Sequence, residues 1–453
     1  MNVITRIPPS PTGRFHIGTA RTALFNYLFA RHNGGQFIFR SEDTDKARSK
    51  KEYEDEILAG LKWLGLSYDS FSRQSERIAR YRELLEKLIA EGKAYISKEP
   101  GREDAGKMME VVRLKNPGAT ITFHDEVRGD VTFDTTELHD FVIAKSLDEP
   151  LYHFAVVADD WDAGVTHVIR GEDHVSNTPR QILIQEALGA PQPIYAHLPL
   201  IVDEHRAKLS KRTGATSVMD YRDEGFLPEA LLNYLALLGW NPGTPQEYFS
   251  LAELVGAFSL ERIQKGSAAW DREKLLSVNQ HWMRELSDEK FLACLDVVRP
   301  TSDVGRTTSY NSEILEKTIP LLKERAKTFK EARELLSGEL ACLFEEPSLD
   351  HSQLLVKELK DRPGMTKTAL EGLSEAIKGL SGDVSAEDVR ATIMPLADAE
   401  EAKGKGGRGA MLWPLRYALS GQERSPDPFT LISILSKEEA LSRIQKAIAI
   451  LEG

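Results

Sequence analysis

Pro9-Ser10-Pro11-Thr12-Gly13-Arg14-Phe15-His16-Ile17-Gly18-Thr19 is the stretch from which the rest of the chain can be read. A short apolar run, Val3 to Ile7, precedes it and reads as a strand. Ala20 to Arg31 follows, with Ala23, Leu24, Tyr27 and Leu28 at helical spacing. The stretch is therefore a strand-to-helix crossing. Its prolines preset φ, and its glycines let a ligand approach the backbone. The amides and positive dipole end of the following helix point back into the loop, which suits an anion such as a nucleotide triphosphate. An ordinary Pro/Gly turn with a solvated histidine has the same composition, so this stretch alone leaves both readings open.

A second stretch, Lys208-Leu209-Ser210-Lys211-Arg212 followed by Thr213-Gly214, changes the balance. The two together look like the HIGH and KMSKS signatures of class I aminoacyl-tRNA synthetases. The longer runs RIPPSPTGRFHIGTARTALFNYLFARHNGG, FRSEDTDKARS, LKWLGLSYD, SRQSERIARY and GVTHVIRGEDHVSNTPRQ resemble bacterial-type glutamyl-tRNA synthetase. The resemblance holds at motif level from Asn2 to about residue 285 and continues more weakly to the C-terminus. It implies an α/β fold: a Rossmann-type parallel-sheet catalytic domain with a short connective insertion, followed by an all-α C-terminal half. The expected divisions are a catalytic domain over 1–225 with an acceptor-binding insertion at 93–148, a helical stem-contact domain over 226–305, and an all-helical anticodon-binding domain over 306–453.

Composition is compatible with this reading. A chain of 453 residues is too long for one core, so two to four domains are expected. No apolar run approaches the ~20 residues of a membrane span, and MNVITRIPPS lacks the layout of a signal peptide. Cytoplasmic location is the resulting expectation, and a monomer is expected. The net charge of -12 argues against nonspecific nucleic-acid binding, which phosphate neutralisation drives, but leaves room for a specific RNA held by local basic patches. The two cysteines, Cys294 and Cys342, lack metal-ligand spacing. Some glutamyl-tRNA synthetases carry a Cys-rich zinc knuckle soon after the position of Tyr95; here Tyr95 to Lys107 reads YISKEPGREDAGK, so no structural zinc is expected.

In chain order, Gln36 to Arg40 alternates as a strand, and Ser41-Glu42-Asp43 follows at its end. A helix from about Lys50 stops at Gly65, and another runs from Ile78 to Glu91. This order argues a right-handed βαβ unit whose ligands bind outside the strand C-termini, where Ser10 and Glu42 both lie. From Val111 to Ser146, VVRLK, ATITFHD, GDVTF and DFVIAK are short strand-like runs. Tyr152 to Asp162 then reads as a helix, Val165 to Arg170 as a strand, Thr178 to Leu188 as a helix and Tyr195 to Val202 as a strand. Beyond Pro228 the periodicity is almost wholly helical, with a polar, turn-rich boundary near residues 300–312. The Gly-rich basic run from Ala402 to Arg408 is either a solvated loop or an RNA contact.

The two signatures suit phosphoryl chemistry. His16 and the helix start at Thr19 offer hydrogen bonds to triphosphate oxygens, and Gly18 lets a base lie against the backbone. Lys208 and Lys211 are point charges that stabilise negative charge building on phosphate. No nucleophilic Ser or Cys is needed, because the carboxylate of a bound amino acid would attack the α-phosphate of ATP. Mg²⁺ is expected with the ATP, not in a protein cage. An acidic group should hold the amino acid's ammonium, a role open to Glu42 with Ser10. Cations should hold its side-chain carboxylate, a role open to Arg6 and Arg170 with the Tyr152 hydroxyl. The alternatives are that Arg6 and Glu42 pair across neighbouring strands and that Tyr152 is core.

The resemblance assigns Arg6, Ser10, Glu42, Tyr152 and Arg170 to glutamate. It assigns Thr12, His16, Gly18, Thr19, Asp173, Lys208, Leu209, Ser210, Lys211 and Arg212 to ATP, with His16, Lys208 and Lys211 as catalytic groups. It implies tRNA(Glu), L-glutamate and ATP as partners and transfer of glutamate, through glutamyl-adenylate, to the terminal ribose of the tRNA. There are three departures: Thr19 replaces the last His of HIGH, Pro8 stands where Ala is usual, and Val156 stands where some members place Asn. Competing readings are an enzyme that also charges tRNA(Gln), a paralogue that charges a modified base, a small nucleotidyltransferase, and a noncatalytic tRNA-binding module. The helical C-terminal half disfavours the paralogue, and the length of the chain disfavours the nucleotidyltransferase. His16, Lys208 and Lys211 disfavour the noncatalytic module.

Overall fold

β1 (Ile4–Ile7) feeds the 9–19 loop into α1 (Ile17–His32), as the apolar spacing on both sides of that loop predicts. The computed structural model describes residues 2–100, 108–203, 205–207, 209, 217–297, 311–355, 363–382, 384–402 and 407–452. The chain divides into two units, Met1–Trp282 and Met283–Gly453.

In the first unit α1 leads to β2 (Gln36–Ser41), α2 (Lys51–Trp63), β3 (Ser70–Arg73) and α3 (Ile78–Ala90). β1, β2 and β3 are parallel, with Arg6 beside Ile38 and Ile38 beside Ser70. Ile17, Leu24, Phe25 and Leu28 bury α1 against this layer. α2 crosses the 9–19 loop so closely that a Cβ on Gly60 would stand 2.4 Å from Phe15 Cδ1.

The inserted segment supplies β4 (Ala94–Pro100), β5 (Met108–Leu114), β6 (Thr120–Asp125), β7 (Gly129–Asp134), β8 (Phe141–Ser146) and β9 (Glu149–Pro150). The chain returns through α4 (Tyr152–Asp162), β10 (His167–Gly171), α5 (Thr178–Leu188), β11 (Ile194–Leu198) and β12 (Ile201–Val202). The last apolar strand expected from sequence is thus two strands, broken at Pro199-Leu200, since Pro brings no amide to a ladder.

β1 also lies beside β10: the Thr166 amide donates to the Ile4 carbonyl at 3.0 Å, and the Ile4 amide donates to Thr166 Oγ1 at 2.9 Å. With β10 and β11 parallel, the layer runs β3-β2-β1-β10-β11, the order of a doubly wound nucleotide-binding sheet. The insertion is not self-contained. β4, β5, β8 and β9 form an antiparallel sheet, but the β6–β7 hairpin joins the edge of the main sheet, with Asp125 beside Tyr195. The remainder of the first unit is α6 (Val218–Asp223), α7 (Pro228–Leu237), α8 (Leu251–Ala257), β13 (Ala268–Ala269) and α9 (Arg272–Glu285), which crosses the division.

Every regular element described in the second unit is a helix: α10 (Asp288–Val297), α11 (Ser312–Arg325), α12 (Phe329–Ser337), α13 (His351–Leu354), α14 (Pro363–Lys378), α15 (Ala386–Ala402), α16 (Gly409–Ser420), α17 (Pro428–Ile434) and α18 (Lys437–Glu452). Leu370, Leu373, Ile377, Leu415 and Ile444 are fully buried where α14, α16 and α18 meet. Arg443 is buried with them and donates to the Cys342 and Leu419 carbonyls at 2.6 and 2.7 Å, satisfying acceptors that the helix ends leave open. Most of the expected boundary near 300–312 and most of the Gly-rich 402–408 run lie outside the described residues.

Candidate active site

In a sheet of this order, ligands bind outside the strand C-termini at the point where the order reverses, here between β1 and β10. A cavity of about 660 Å³ opens there, within the size range of small-ligand sites. Its wall contains Arg6, Ser10, His16, Gly18, Thr19, Glu42, Tyr152, Arg170, Asp173 and Leu209, so residues far apart in sequence meet in one place. Pro8 also lines it, while Thr12 and Val156 do not, and Val156 is buried within α4. Lys208, Ser210, Lys211 and Arg212 lie outside the described residues. The described residues around that stretch are held by backbone bonds, those after it to the first signature. The Leu209 amide donates to the Ile201 carbonyl at 3.4 Å, Ser217 pairs with His16, and the Val218 amide donates to the Phe15 carbonyl at 2.9 Å.

His16 caps α1: its Nδ1 accepts from the Gly18 amide at 3.0 Å. In the neutral ring this places the proton on Nε2, which is then a donor. A Cβ on Gly18 would stand 3.3 Å from His16 Nδ1, tight enough that the ring would have to give way slightly. Across the mouth, a Cβ on Gly171, the last residue of β10, would stand 2.6 Å from Asp173 Oδ1 and would make that carboxylate turn aside. α1 supplies a further cation to the wall, Arg21. Its guanidinium donates to the Leu238 carbonyl at 3.1 Å and to the Pro199 carbonyl. Without an anion beside it, burial lowers its pKa to about 10.

Arg6 and Glu42 do not pair directly with each other; Arg6 pairs with Asp160, Glu42 with Arg40, and those two partners pair with each other. Arg6 is 1% exposed, and its Nε lies 3.3 Å from both carboxylate oxygens of Asp160 on α4. The same Asp160 accepts from Arg40 Nη1 at 2.7 Å, and Arg40 Nη2 reaches Glu42 Oε1 at 3.1 Å. Asp160 is held ionised, well below the ordinary carboxylate range: the two guanidiniums outweigh the desolvation that opposes them. Glu42 is pushed the other way, up to about 7, because burial outweighs the single bond from Arg40. Arg6 Nη1 is buried without a hydrogen-bond partner among the described residues, a cationic donor left for a ligand. The Ser10 hydroxyl donates to the Glu42 carbonyl oxygen at 2.8 Å, which ties the loop to the end of β2.

Tyr152 is 36% exposed and lines the cavity, so it is not core. Burial of its hydroxyl, with Glu42 nearby, pushes its pKa up to about 12, so it stays a neutral donor. Beside it, burial lowers His153 and His174 to about 4, which leaves both rings neutral. Arg170 is buried; Nη1 donates to Gln181 Oε1 at 2.7 Å, Nη2 to Thr178 Oγ1 at 2.8 Å, and Nε to His197 Nε2 at 3.1 Å.

Sequence reasoning missed Arg40, Asp160, Asp125 and His197. Two of them leave a trace in the pattern. Asp159-Asp160 interrupts the apolar FAVVA run of a helix that is buried from Phe154 to Asp160, and Asp125 falls in the inward phase of the TITFHD alternation with Ile121 and Phe123. An acid at a core position implies a buried partner. Arg40 and His197 leave no such trace, since a lone polar residue at the end of a strand is common. Among the described residues, no group of three or more His, Cys, Asp or Glu could hold a metal ion. No described helix is long and apolar enough to cross a membrane.

Comparison with known proteins shows the family. A family model described as tRNA synthetases class I (E and Q), catalytic domain, matches residues 2–103 and 97–277, and an anticodon binding domain matches residues 272–448. A protein named glutamate–tRNA ligase 1, from Caldanaerobacter subterraneus subsp. tengcongensis, is 38% identical over 488 aligned positions, covering 99% of this chain and 98% of that one. A glutamate–tRNA ligase from Xanthomonas campestris pv. campestris is 40% identical, with 99% of each covered. Among solved structures, a glutamate tRNA ligase from Elizabethkingia meningosepticum in complex with its amino acid superposes with a TM-score of 0.83 at 34% identity, covering 99% of each chain.

Proposed function

The chain belongs to the class I tRNA synthetases of the glutamate and glutamine type, and from that premise we propose how its cavity carries out the reaction. The protein is an enzyme that attaches L-glutamate to tRNA.

Glutamate lies with its ammonium toward Glu42 and its side-chain carboxylate toward Arg6 and Arg170, with the Tyr152 hydroxyl as a neutral donor. The Arg6 Nη1 atom, buried and unpartnered in the cavity wall, carries this reading. ATP, entering as its magnesium complex, lies along the start of α1, with His16 and Thr19 toward the phosphates and Asp173 and Leu209 beside the nucleotide. An oxygen of the glutamate α-carboxylate attacks the α-phosphorus; that O–P bond forms as the bond to the β-phosphate oxygen breaks, and pyrophosphate leaves. A ribose hydroxyl at the tRNA 3′ end then attacks the acyl carbon, and AMP leaves. Lys208 and Lys211, in the stretch before Ser217 and Val218, which pair with His16 and Phe15 of the first signature, neutralise the charge that develops on the phosphates. The protein contributes positioning and electrostatics throughout. The second unit, matched by the anticodon-binding model, is assigned to tRNA selection. We assign the enzyme to the cytoplasm as a monomer.

Charge decides the amino acid. Glutamate and glutamine have the same shape, but an amide turned toward two guanidiniums presents an NH₂ donor to donors and leaves buried positive charge uncompensated. Unpaired polar groups in a built site give discrimination on the order of 10⁴. The test is pyrophosphate exchange with each amino acid in the presence of tRNA. Exchange with glutamate alone is expected, and equal exchange with glutamine would sink the two-arginine argument. Charging of separately prepared tRNA(Glu) and tRNA(Gln) shows whether the enzyme also misacylates the second.

A further inference from the structure

One buried pair has no part in the chemistry above. Asp125, at the root of the inserted β6–β7 hairpin, and His197, on β11, are both fully buried, with His197 Nδ1 2.6 Å from Asp125 Oδ2. The carboxylate is otherwise held by backbone amides: Val127 and Arg128 donate to Oδ1 at 3.1 and 2.9 Å, and the His197 amide donates to Oδ2 at 3.1 Å. The far side of the ring meets Arg170, whose Nε lies 3.1 Å from His197 Nε2.

The direction of each bond follows from valence. An arginine Nε–H only donates, so His197 Nε2 must be the bare acceptor. The ring proton is then on Nδ1 and donates to Asp125, which as an ionised carboxylate only accepts. The series Asp125, His197, Arg170 therefore has one self-consistent protonation pattern. Of the five N–H donors of Arg170, three are taken by His197, Gln181 and Thr178, and one remains on each terminal nitrogen of a guanidinium that lines the cavity. The ring is boxed in by Tyr195, stacked at 6.1 Å, and by Phe123 at 6.4 Å, so it cannot swing away from either partner without repacking.

We infer that Asp125 and His197 are positioning residues that aim the Arg170 guanidinium at the substrate carboxylate and so share in telling glutamate from its amide. This rests on the proposal that Arg170 faces that carboxylate. It gives the inserted hairpin a task in the amino-acid subsite: its root braces the edge strand from which the orienting histidine projects.

The two carboxamide replacements of histidine separate this role from simple core filling. The amide of Asn overlays Nδ1 and still reaches Asp125, but leaves Arg170 Nε without an acceptor. The amide of Gln overlays Nε2 and can still accept from Arg170. For His197→Asn the expected result is a glutamate KM raised roughly 10–100-fold, the usual effect of losing an orienting partner, with the KM for ATP unchanged. His197→Gln should restore most of that loss. The same order should appear in the thermal shift produced by saturating glutamate, a measurement that needs only folded protein. An unchanged glutamate KM in His197→Asn overturns the inference. So does a parallel rise in the KM values for glutamate and ATP in both variants with a lowered melting temperature, which is the signature of core filling. If His197→Asn does not fold, His197→Gln alone decides: retained glutamate selectivity supports the relay, and equal loss for both substrates refutes it. Arg170→Gln is the control for the premise. If it leaves glutamate KM unchanged, Arg170 is not a substrate contact and the inference falls with it. If it abolishes glutamate binding while His197→Asn has no effect, only the positioning role fails.

Discussion

Replacing Asp160 with Asn tests the centre of the site, because one carboxylate there serves two arginines. Arg6 Nε lies 3.3 Å from both Asp160 oxygens, and Arg40 Nη1 lies 2.7 Å from one of them. All three side chains are almost wholly buried. Asn keeps the volume but removes the charge and turns an NH₂ toward a guanidinium. Removing one partner of a buried ion pair costs about 3–5 kcal/mol, mostly the penalty of the charge left behind. Arg40 retains Glu42 at 3.1 Å and Asp159 at 3.6 Å, so the loss falls chiefly on Arg6. About 3 kcal/mol, the low end, is therefore the expected loss of stability in the first unit. All the tryptophans except Trp413 lie in that unit, so intrinsic fluorescence during urea unfolding follows it. Glutamate KM should rise as well, because Arg6 loses its anchor and the support behind Glu42 loosens. An unfolding free energy within about 0.5 kcal/mol of the wild type, with unchanged glutamate KM, would refute the view that Asp160 organises both ends of the amino-acid site.

Glu42 titrates near 7 in the fold against 4.5 for the free group, so between those values the native state holds more protons and stability falls as pH rises. Glu42→Gln should flatten that fall, and because only the ionised carboxylate holds the ammonium, wild-type kcat/KM for glutamate should climb to a plateau above about pH 7; a flat profile over roughly pH 5.5–7.5 would contradict the assignment. Lys211→Ala should raise the activation barrier by roughly 2.7–4 kcal/mol while leaving glutamate affinity nearly intact, by analogy with loss of one oxyanion donor, and unchanged turnover in rapid-quench assays would remove Lys211 from the mechanism. Gly60→Ala forces a methyl against the Phe15 ring and should cost about 1–3 kcal/mol in denaturant unfolding, with a larger fall in activity than that loss explains, because Phe15 precedes His16; wild-type stability would show that the loop yields there.

Much of this protein is determined within short windows of its sequence. A strand-to-helix crossing needs only an apolar run, a Pro/Gly loop and a helical period, and those local features find β1 and α1, although the helix begins at Ile17, two residues before the expected start at Thr19, with His16 as its cap. The helix from Tyr152 to Asp162 likewise appears with the bounds its periodicity predicts. The types of residue in the proposed site, two arginines and an acid beside a Pro/Gly loop at a helix start, are a chemical inventory that can also be read without coordinates. Three things were not legible. The four strand-like runs of the insertion separate into two sheets, because pairing partners are chosen by contacts many residues apart; nothing local tells Asp125 to lie beside Tyr195. The partners of the charged groups depend on the same long-range packing. Arg6 and Glu42 sit at neighbouring strand ends, yet the link between them runs through Arg40 to Asp160, which arrives on a helix from a distant part of the chain. The protonation states were illegible too, since burial rather than residue type raises Glu42 and keeps His197 neutral, and burial exists only once the chain has folded. The sequence by itself determined which elements form and which chemistry they carry; the tertiary structure alone decided which charges meet out of water, and so which of them remain available to a substrate.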